Sequence, residues 1–457
     1  MRSPEPLLRA GAPLAPLLAK ELRDLLAGRA FWVMALLLCF VVGYGFIEAV
    51  ALYGEASRSA SSFPELARGL SPLDGVLVPT FGAFYVGTTL LFPFVAIRAL
   101  GAEKQNGGLK LMLQLPYRPG TLVIAKLAAV QAGWLIGLVP GLSALILWIG
   151  LGGHLAAPET ATLLLGHFLY GLLVASIGLF AAALTEGPAT AAIAALAVTL
   201  GAWMLDFAAT GQVLWARGLA DFSPTAALRS FETGLLSLPA ILGLLIAAGT
   251  LSLLAVVWLP PGRTTGQRAL RSAAVLAAAV IAAAAAAQAR VYADVTEDRR
   301  NSFAPADEAA LRRLNSPLVI TVFLAPDDPR MADFKRQVLN KLRRLLPHLT
   351  VAIAETSKGR FSPAGDDRYG LMTYDYGGKH DESRSNSPRE VLPILYGLAG
   401  VTPAPSSGAD YPGYPLVADA DPAGVWFYGL LPLIFVFFWW RLRRAAVFTP
   451  RSKGGPS

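Results

Sequence analysis

Between Ala102 and Pro119 the chain sets Glu103, Lys104, Lys110 and Arg118 around a glycine pair, Gly107-Gly108. A short apolar burst follows, Leu109-Lys110-Leu111-Met112-Leu113, and Pro116 and Pro119 close it. The stretch holds no histidine, cysteine or paired acids, so it is unsuited to acid–base or covalent work. It suits docking: apolar pegs for a protein groove, charges to flank them, and prolines to stop a helix sharply. Chemistry elsewhere is thinner. There is no GxxxxGK[ST] loop to cradle phosphates, and no HExxH, GxSxG or EF-hand pattern. His154, His167, His348 and His380 are scattered, without the spacing of metal ligands. The single cysteine, Cys39, excludes an internal disulfide, a CxxC redox pair and a thiolate metal cluster. The polar run Lys379–Glu382 follows Gly377-Gly378 and reads as a solvated turn. No catalytic residue and no metal ligand is therefore expected.

The elements that must position this loop are apolar. The 457 residues are 54% hydrophobic and only 15% charged, with a mean hydropathy of +0.51. Soluble domains carry more charge than that. Eight runs are long enough to cross about 30 Å of hydrocarbon. They are Phe31–Leu52, Val76–Ile97, Leu122–Leu151, Ala161–Leu184, Ala189–Phe207, Leu235–Leu259, Ala273–Ala289 and Val425–Trp440. The aromatics of the last run, Trp426 to Trp440, suit an interface belt. The net charge of +8 does not imply a nucleic acid, because lysine and arginine concentrate beside the apolar runs. Placing the N-terminus in the cytoplasm puts inside Arg2, Arg9, Lys20, Arg23, Arg29, the Ala102–Pro119 loop, Arg263, Arg268, Arg271 and the basic tail from Arg441, and leaves the short outer loops only Arg58, Arg68, Arg217 and Arg229, the long outer region not counting in this rule. Both termini are then cytoplasmic.

Ahead of the first run, Leu14, Leu17, Leu18, Leu22, Leu25 and Leu26 recur at helical spacing, with Lys20, Glu21, Arg23 and Asp24 on the opposite face. This predicts an interfacial helix lying with its apolar face, Leu18, Leu22 and Leu25 included, on the inner membrane surface. The plainer role for it is an anchor for the first span; the other is contact with a cytoplasmic partner.

One sizeable polar region, residues 290–424, separates the last two runs. Leu318–Ala325 and Leu349–Glu355 read as buried strands. Between them Asp328-Pro329 opens a helix whose Met331, Phe334, Val338, Leu342 and Leu345 share one face. That is a β-α-β unit with parallel strands, similar to a thioredoxin-like half but without cysteine. A further strand ends at Gly377-Gly378, Ser387-Pro388 starts another helix, and Thr402–Ala420, rich in Pro, Gly and Ser, reads as a linker.

At the opening loop the sequence resembles the ABC-2 type of ATP-binding-cassette permease, whose pattern E-x-x-x-G-T-L-E-L-L-L-x-x-P is matched by Glu103, Lys104, Gly107, Leu109, Leu111, Met112, Leu113 and Pro116, with Lys126 opening the next span. Gly108 replaces the usual threonine and Lys110 the usual acid. Ile177–Leu196 resembles that family's short inner turn, and Asp221–Leu236 its outer amphipathic piece. The remainder, through ADVTEDRRNSF, YDYGGKHDE and the closing GLLPLIFVFFWWRLRR, resembles the auxiliary subunit of gliding-motility-type ABC transporters, shortened between Gly400 and Tyr414. The chain thus looks like a fusion of permease, about residues 1–260, and auxiliary subunit, about 265–457.

The resemblance implies a mainly α-helical polytopic membrane protein of the bacterial inner membrane, with an α/β domain on the periplasmic side. Its divisions would be 1–29 (interfacial helix), 30–260 (six-helix permease), 261–272 (linker), 273–289 (span seven), 290–424 (outer domain), 425–440 (span eight) and 441–457 (basic tail). It implies export of a cargo, a homodimer embedded in lipid, and two copies of a separate ATPase subunit that hold the ATP and Mg. This chain itself would bind no cofactor and no nucleic acid. Glu103, Lys104, Gly107, Leu109, Lys110, Leu111, Met112, Leu113 and Pro116 would form the ATPase-coupling helix. An envelope protein would be the partner of the outer domain. Two other readings remain at this point. A non-transporting scaffold would use the spans only to hold that domain. An ion-coupled transporter would need buried carboxylate pairs at mid-membrane and a repeat, and the sequence offers neither.

Overall fold

A computed structural model describes residues 14–115, 117–209, 223–325, 328–354, 368–404 and 411–448. Eight helices among them are long and apolar enough to cross a membrane: Arg29–Ala60, Leu73–Gln105, Pro119–Gly150, Ala157–Leu184, Pro188–Leu205, Leu238–Trp258, Thr265–Ala287 and Ala423–Arg444. They are spans one to eight below. Short helices accompany them: α1 (Leu14–Ala27), α2 (Gly108–Gln114) between spans two and three, and α3 (Pro224–Glu232) ahead of span six. The molecule is thus a polytopic helical membrane protein with small sheets in its C-terminal region.

Burial sorts the spans. The apolar window of span four is 72% buried and that of span seven 6%. Span four is therefore the axis of the bundle, and span seven leaves nearly all its surface uncovered by the rest of the described chain. Close approach relies on small residues, as it must where lipid is as apolar as leucine. Gly43 of span one is the clearest case, since a Cβ there would lie 2.5 Å from that of Phe427. Span eight packs along span one through Trp32 against Phe435, Phe40 stacked on Tyr428, and Phe46 against Phe427. Its aromatics are thus only partly a membrane belt: Phe427 is fully buried, while Phe437, Phe438 and Trp440 stay exposed. Span three consists of two helices, Pro119–Gly137 and Val139–Gly150, that meet where Pro140 breaks the hydrogen-bond ladder. Span seven begins at Thr265, ahead of the expected Ala273, because the Thr264 hydroxyl accepts from Gln267 N and caps it there.

Two three-residue strands join the halves of the chain. β1 (Leu235–Ser237), just ahead of span six, pairs antiparallel with β2 (Tyr292–Asp294), just after span seven. The α/β unit follows. β3 (Leu318–Val322) and β4 (Leu349–Ile353) are parallel in register Leu318 to Leu349, and the crossover between them is α4, which runs from Pro329 through a π turn at Lys335–Leu339 to Leu345. The expected β-α-β unit is present, with Met331, Phe334, Val338 and Leu342 buried against alternate residues of β3. β5 (Met372–Tyr376) pairs antiparallel with β3, and β6 (Lys379–Ser383) with β5. α5 (Pro388–Ala399) lies against this sheet.

Two expectations are corrected. Lys379–Glu382 is not a turn but most of β6, an exposed edge strand. Gly377 and Gly378, both at positive φ (56° and 81°), close a tight hairpin that sends the chain straight back into the sheet. Nor is the end of Thr402–Ala420 a loose linker. The stretch from Tyr411 crosses the ends of spans one and two, with Tyr414 N donating to Leu70 O, Tyr53 Oη to Tyr414 O at 2.6 Å, and Leu416 N to Ser57 Oγ. Pro and Gly there shape a strap whose backbone groups find partners on the bundle. The α/β unit is seated by further polar contacts. Arg300 bridges Asp74 and Asp298, His154 stacks on Tyr414 and meets Glu297 at 2.9 Å, and Glu159 accepts from Glu297 N.

Candidate functional site

The opposite end of the bundle carries α2. Span two ends at Gln105, and Gly107 then takes a left-handed backbone (φ 73°), which glycine adopts without steric cost. That one residue turns the chain abruptly into α2. Along α2 the apolar burst divides by face. Leu109 is buried, and Met112 and Leu113 are half-buried in the same cluster. Leu111, 67% exposed, points away with Lys110, and Leu115 beyond the helix is exposed as well. Pro116 lies outside the described residues. So α2 is rooted by Leu109 and presents Lys110, Leu111 and Leu115.

Glu103 and Lys104, at the root, turn inward. Lys104 Nζ donates to the carbonyls of Ala182, Ala183 and Thr185, where span four ends. A cation there also answers the negative end of the helix dipole. Glu103 joins a charge cluster whose centre is Lys126, 2% exposed, near the start of span three. Lys126 Nζ lies 2.7 Å from Glu21 Oε2, 2.6 Å from Glu103 Oε2 and 2.8 Å from Ala99 O. The ammonium donates to Glu21 Oε2 and to Ala99 O, and Glu103 Oε2 adds a counter-charge at ion-pair distance. Lys20 completes the cluster with contacts to Glu103, Glu21 and Asp24. Burial opposes its charge, yet the carboxylates of Glu103 and Glu21 outweigh that and hold Lys20 above the usual lysine range.

Glu21, placed by periodicity on the polar face of α1 with Lys20 and Arg23, is 5% exposed and turned into the protein, with Leu17 buried beside it. Leu18, Leu22 and Leu25 are half-buried, while Leu14 is exposed. Leu25 reaches span three at Gly133, where a Cβ would lie 2.9 Å from Leu25 Cδ2. The helix packs mainly on span three and also touches span eight. An ion pair thus fastens this helix to span three. A cavity of about 240 Å³ opens beside the cluster, between α1 and span two, lined by Glu21, Asp24, Arg98 and Glu103.

Sequence reasoning named Lys126 only as a motif position and missed Glu21 and Lys20 as its companions. The signal was there. A lysine inside an apolar run must find a counter-charge, and Glu21 is an acid on the adjoining interfacial helix. Among the described residues no group of three or more His, Cys, Asp or Glu could hold a metal ion. The buried cluster ties α1 to spans two and three, and the neighbouring Lys104 ties span two to the end of span four.

Residues 15–226 match the family model described as ABC-2 family transporter protein. The matched stretch takes in α1, α2 and spans one to five, and so the whole charge cluster. That stretch is similar to a transporter membrane domain, as a permease subunit would have. No curated protein matches the chain.

Proposed function

We propose that this chain is the permease subunit of an ATP-binding-cassette exporter, driven through α2 by a separate ATPase. The observation that carries the reading is the division of α2. Its outer face offers Lys110, Leu111 and Leu115 to a partner, and its root is locked into spans two, three and four by Leu109, Glu103 and Lys104. A groove on an ATPase that grips Leu111 and Leu115 and closes would push on a short lever, not on a floppy loop. The push passes to Lys126 in span three, to the end of span four through Lys104, and to α1 through Glu21. Closely packed helices convey such a shift because they cannot absorb it by compression. The cavity between α1 and span two gives Glu103 somewhere to move.

Two ATPase copies fit two copies of this chain, since two-fold assembly is the default for homo-oligomers. ATP and Mg belong to that partner. The α2 end carries Arg98, Lys104, Lys110, Arg118, Arg263 and Arg268, a basic excess that supports its cytoplasmic placement in the bacterial inner membrane. The α/β unit then faces the periplasm. Spans seven and eight with that unit act as a fused auxiliary subunit, a reading supported by the β1–β2 pairing and by the strap over spans one and two. The test is purification from the native membrane in mild detergent. An ATPase should co-purify, and its hydrolysis should rise on reconstitution with the chain. Transport that follows a proton or sodium gradient without ATP would refute the reading.

A further inference from the structure

A second cavity, of about 620 Å³, lies at the end of the bundle that carries the α/β unit. Its floor is where spans emerge: Pro158 begins span four, Leu235 precedes span six and Arg290 follows span seven. Its walls are the loop after β2 and the inner face of α4. The charge balance is uneven. Arg290, Arg299, Arg312, Lys341 and Arg344 line it against Asp294 and Glu308, five cations to two anions.

Neither acid cancels the excess. Asp294 spends its oxygens on the loop, accepting from Thr296 N, Thr296 Oγ1, Asn301 N and Ser302 Oγ. Glu308 pairs with Arg312 at 3.5 Å. Arg290 and Arg299 are exposed and have no carboxylate within ion-pair distance among the described residues. Lys341 Nζ donates to Ser302 O at 2.8 Å, and Arg344 donates to Asn301 O. Burial pushes both cations below their usual ranges, and the surrounding acids only partly offset it. Half-buried cations short of counter-charge gain most from an incoming anion, because the low local dielectric strengthens the pairing. Arginines present forked donors that match phosphate oxygens. The cavity opens beside span seven, whose apolar window is only 6% buried within the chain.

We propose that this cavity binds a phosphate-bearing anion, presented either on a lipid headgroup at the membrane surface or as a soluble phosphate ester. Arg290 and Arg299 receive the phosphate at the mouth, and Lys341 and Arg344 set the positive potential behind it. The proposal goes beyond the coupling role of α2 and needs no ATPase.

The test uses the full chain alone, purified in detergent. One arm counts molecules of phosphatidylglycerol retained after delipidation, by native mass spectrometry. The other titrates the lipid-stripped protein with glycerol 3-phosphate by calorimetry. The variant is Arg290→Glu with Arg299→Glu, both exposed and far from α2, with its thermal unfolding measured beside the wild type. Retention of phosphatidylglycerol that falls about tenfold in the variant assigns a lipid source, tenfold being the loss of roughly one charge-assisted contact. Saturable binding of glycerol 3-phosphate that falls likewise assigns a soluble one. If the wild type binds neither probe, or a folded variant binds both undiminished, the site does not exist. Either result leaves the α2 reading standing, because no nucleotide-driven step is measured.

Discussion

The ammonium of Lys126 lies 2.6 Å from the carboxylate of Glu103, across the gap between spans two and three. The same ammonium lies 2.7 Å from Glu21 on α1. A cation held by two acids from two other helices fixes all three elements at once. Taking such charges out of water is expensive, and replacing the set by apolar side chains often costs nothing. What the set supplies is position: Glu21 and Glu103 both meet Lys126 in this register of the three helices.

Lys126→Met therefore leaves Glu21 and Glu103 buried around an apolar side chain. The expected cost is about 3–5 kcal/mol, the usual penalty for breaking a buried pair on one side. Thermal unfolding in detergent should show a clear fall. Adding Glu21→Gln should restore part of it, since only Glu103 then remains near the gap and Lys20 still contacts it. A single variant as stable as the wild type would mean that water reaches the cluster freely.

The outer face of α2 should respond differently. Leu111 is 67% exposed and packs on little of this chain, so Leu111→Asp should leave unfolding within about 0.5 kcal/mol of the wild type, as surface changes do. It should nonetheless abolish stimulation of the partner ATPase, because a charge in an apolar groove costs several kcal/mol. Leu109→Asp makes the contrast, since its side chain is buried and the variant should lose stability. Full stimulation by Leu111→Asp removes α2 as the point of contact.

How much of this was legible depends on the range of the interaction. The β-α-β unit could be read because β3 and β4 are short runs of apolar residues and α4 shows its buried face at Met331, Phe334 and Val338 within one window. All eight spans announced themselves by length alone. The inward turn of Glu21 was not legible, since helical periodicity placed it with Lys20 and Arg23, and only a lysine 105 residues away gives it a reason to be buried. The strap over spans one and two was hidden for a similar reason. Its bonds run from backbone groups of Tyr414 to Leu70 and Tyr53, which leave no mark on composition. β6 was missed because an edge strand with exposed side chains looks like any polar loop.

Acid should loosen the start of α4. Asp328 caps that helix and accepts from Arg330 N at 2.9 Å, from the Arg330 guanidinium at 2.9 Å and from Tyr369 Oη at 2.8 Å. Arg330 above all pulls its carboxyl from the ordinary 3.8 down to about 2, against a smaller opposing effect of burial. A carboxylate held below its unfolded value stabilises fully above that value and loses the contribution as pH falls through the folded one. The cap should therefore hold above about pH 4 and fail toward pH 2. Pepsin is active across this window. Cleavage near Phe334, normalised to an unfolded substrate, should rise as pH falls. In Asp328→Asn, which keeps a capping oxygen but no titrating group, that rise should be absent. Identical profiles for both proteins would remove Asp328 as the cause.

The two halves should assemble without a covalent link. Residues 261–264 lie in the short turn between spans six and seven, so the chain can be cut there and expressed as two fragments. The halves are joined by span eight on span one, by β1 with β2, by the strap, and by Arg300 with Asp74. These contacts combine apolar area with fixed backbone pairing, and the fragments should co-purify. Gly43→Leu is the decisive variant. Even its first added carbon would stand 2.5 Å from Phe427 Cβ, a distance that real packing does not tolerate. Overpacking of this kind costs about 1–3 kcal/mol, which corresponds to a loss of roughly 5- to 150-fold in fragment affinity. The intact chain would absorb the same strain within one molecule and stay folded. Fragments that never associate, or that associate equally well with leucine at position 43, would show that span eight does not dock on span one.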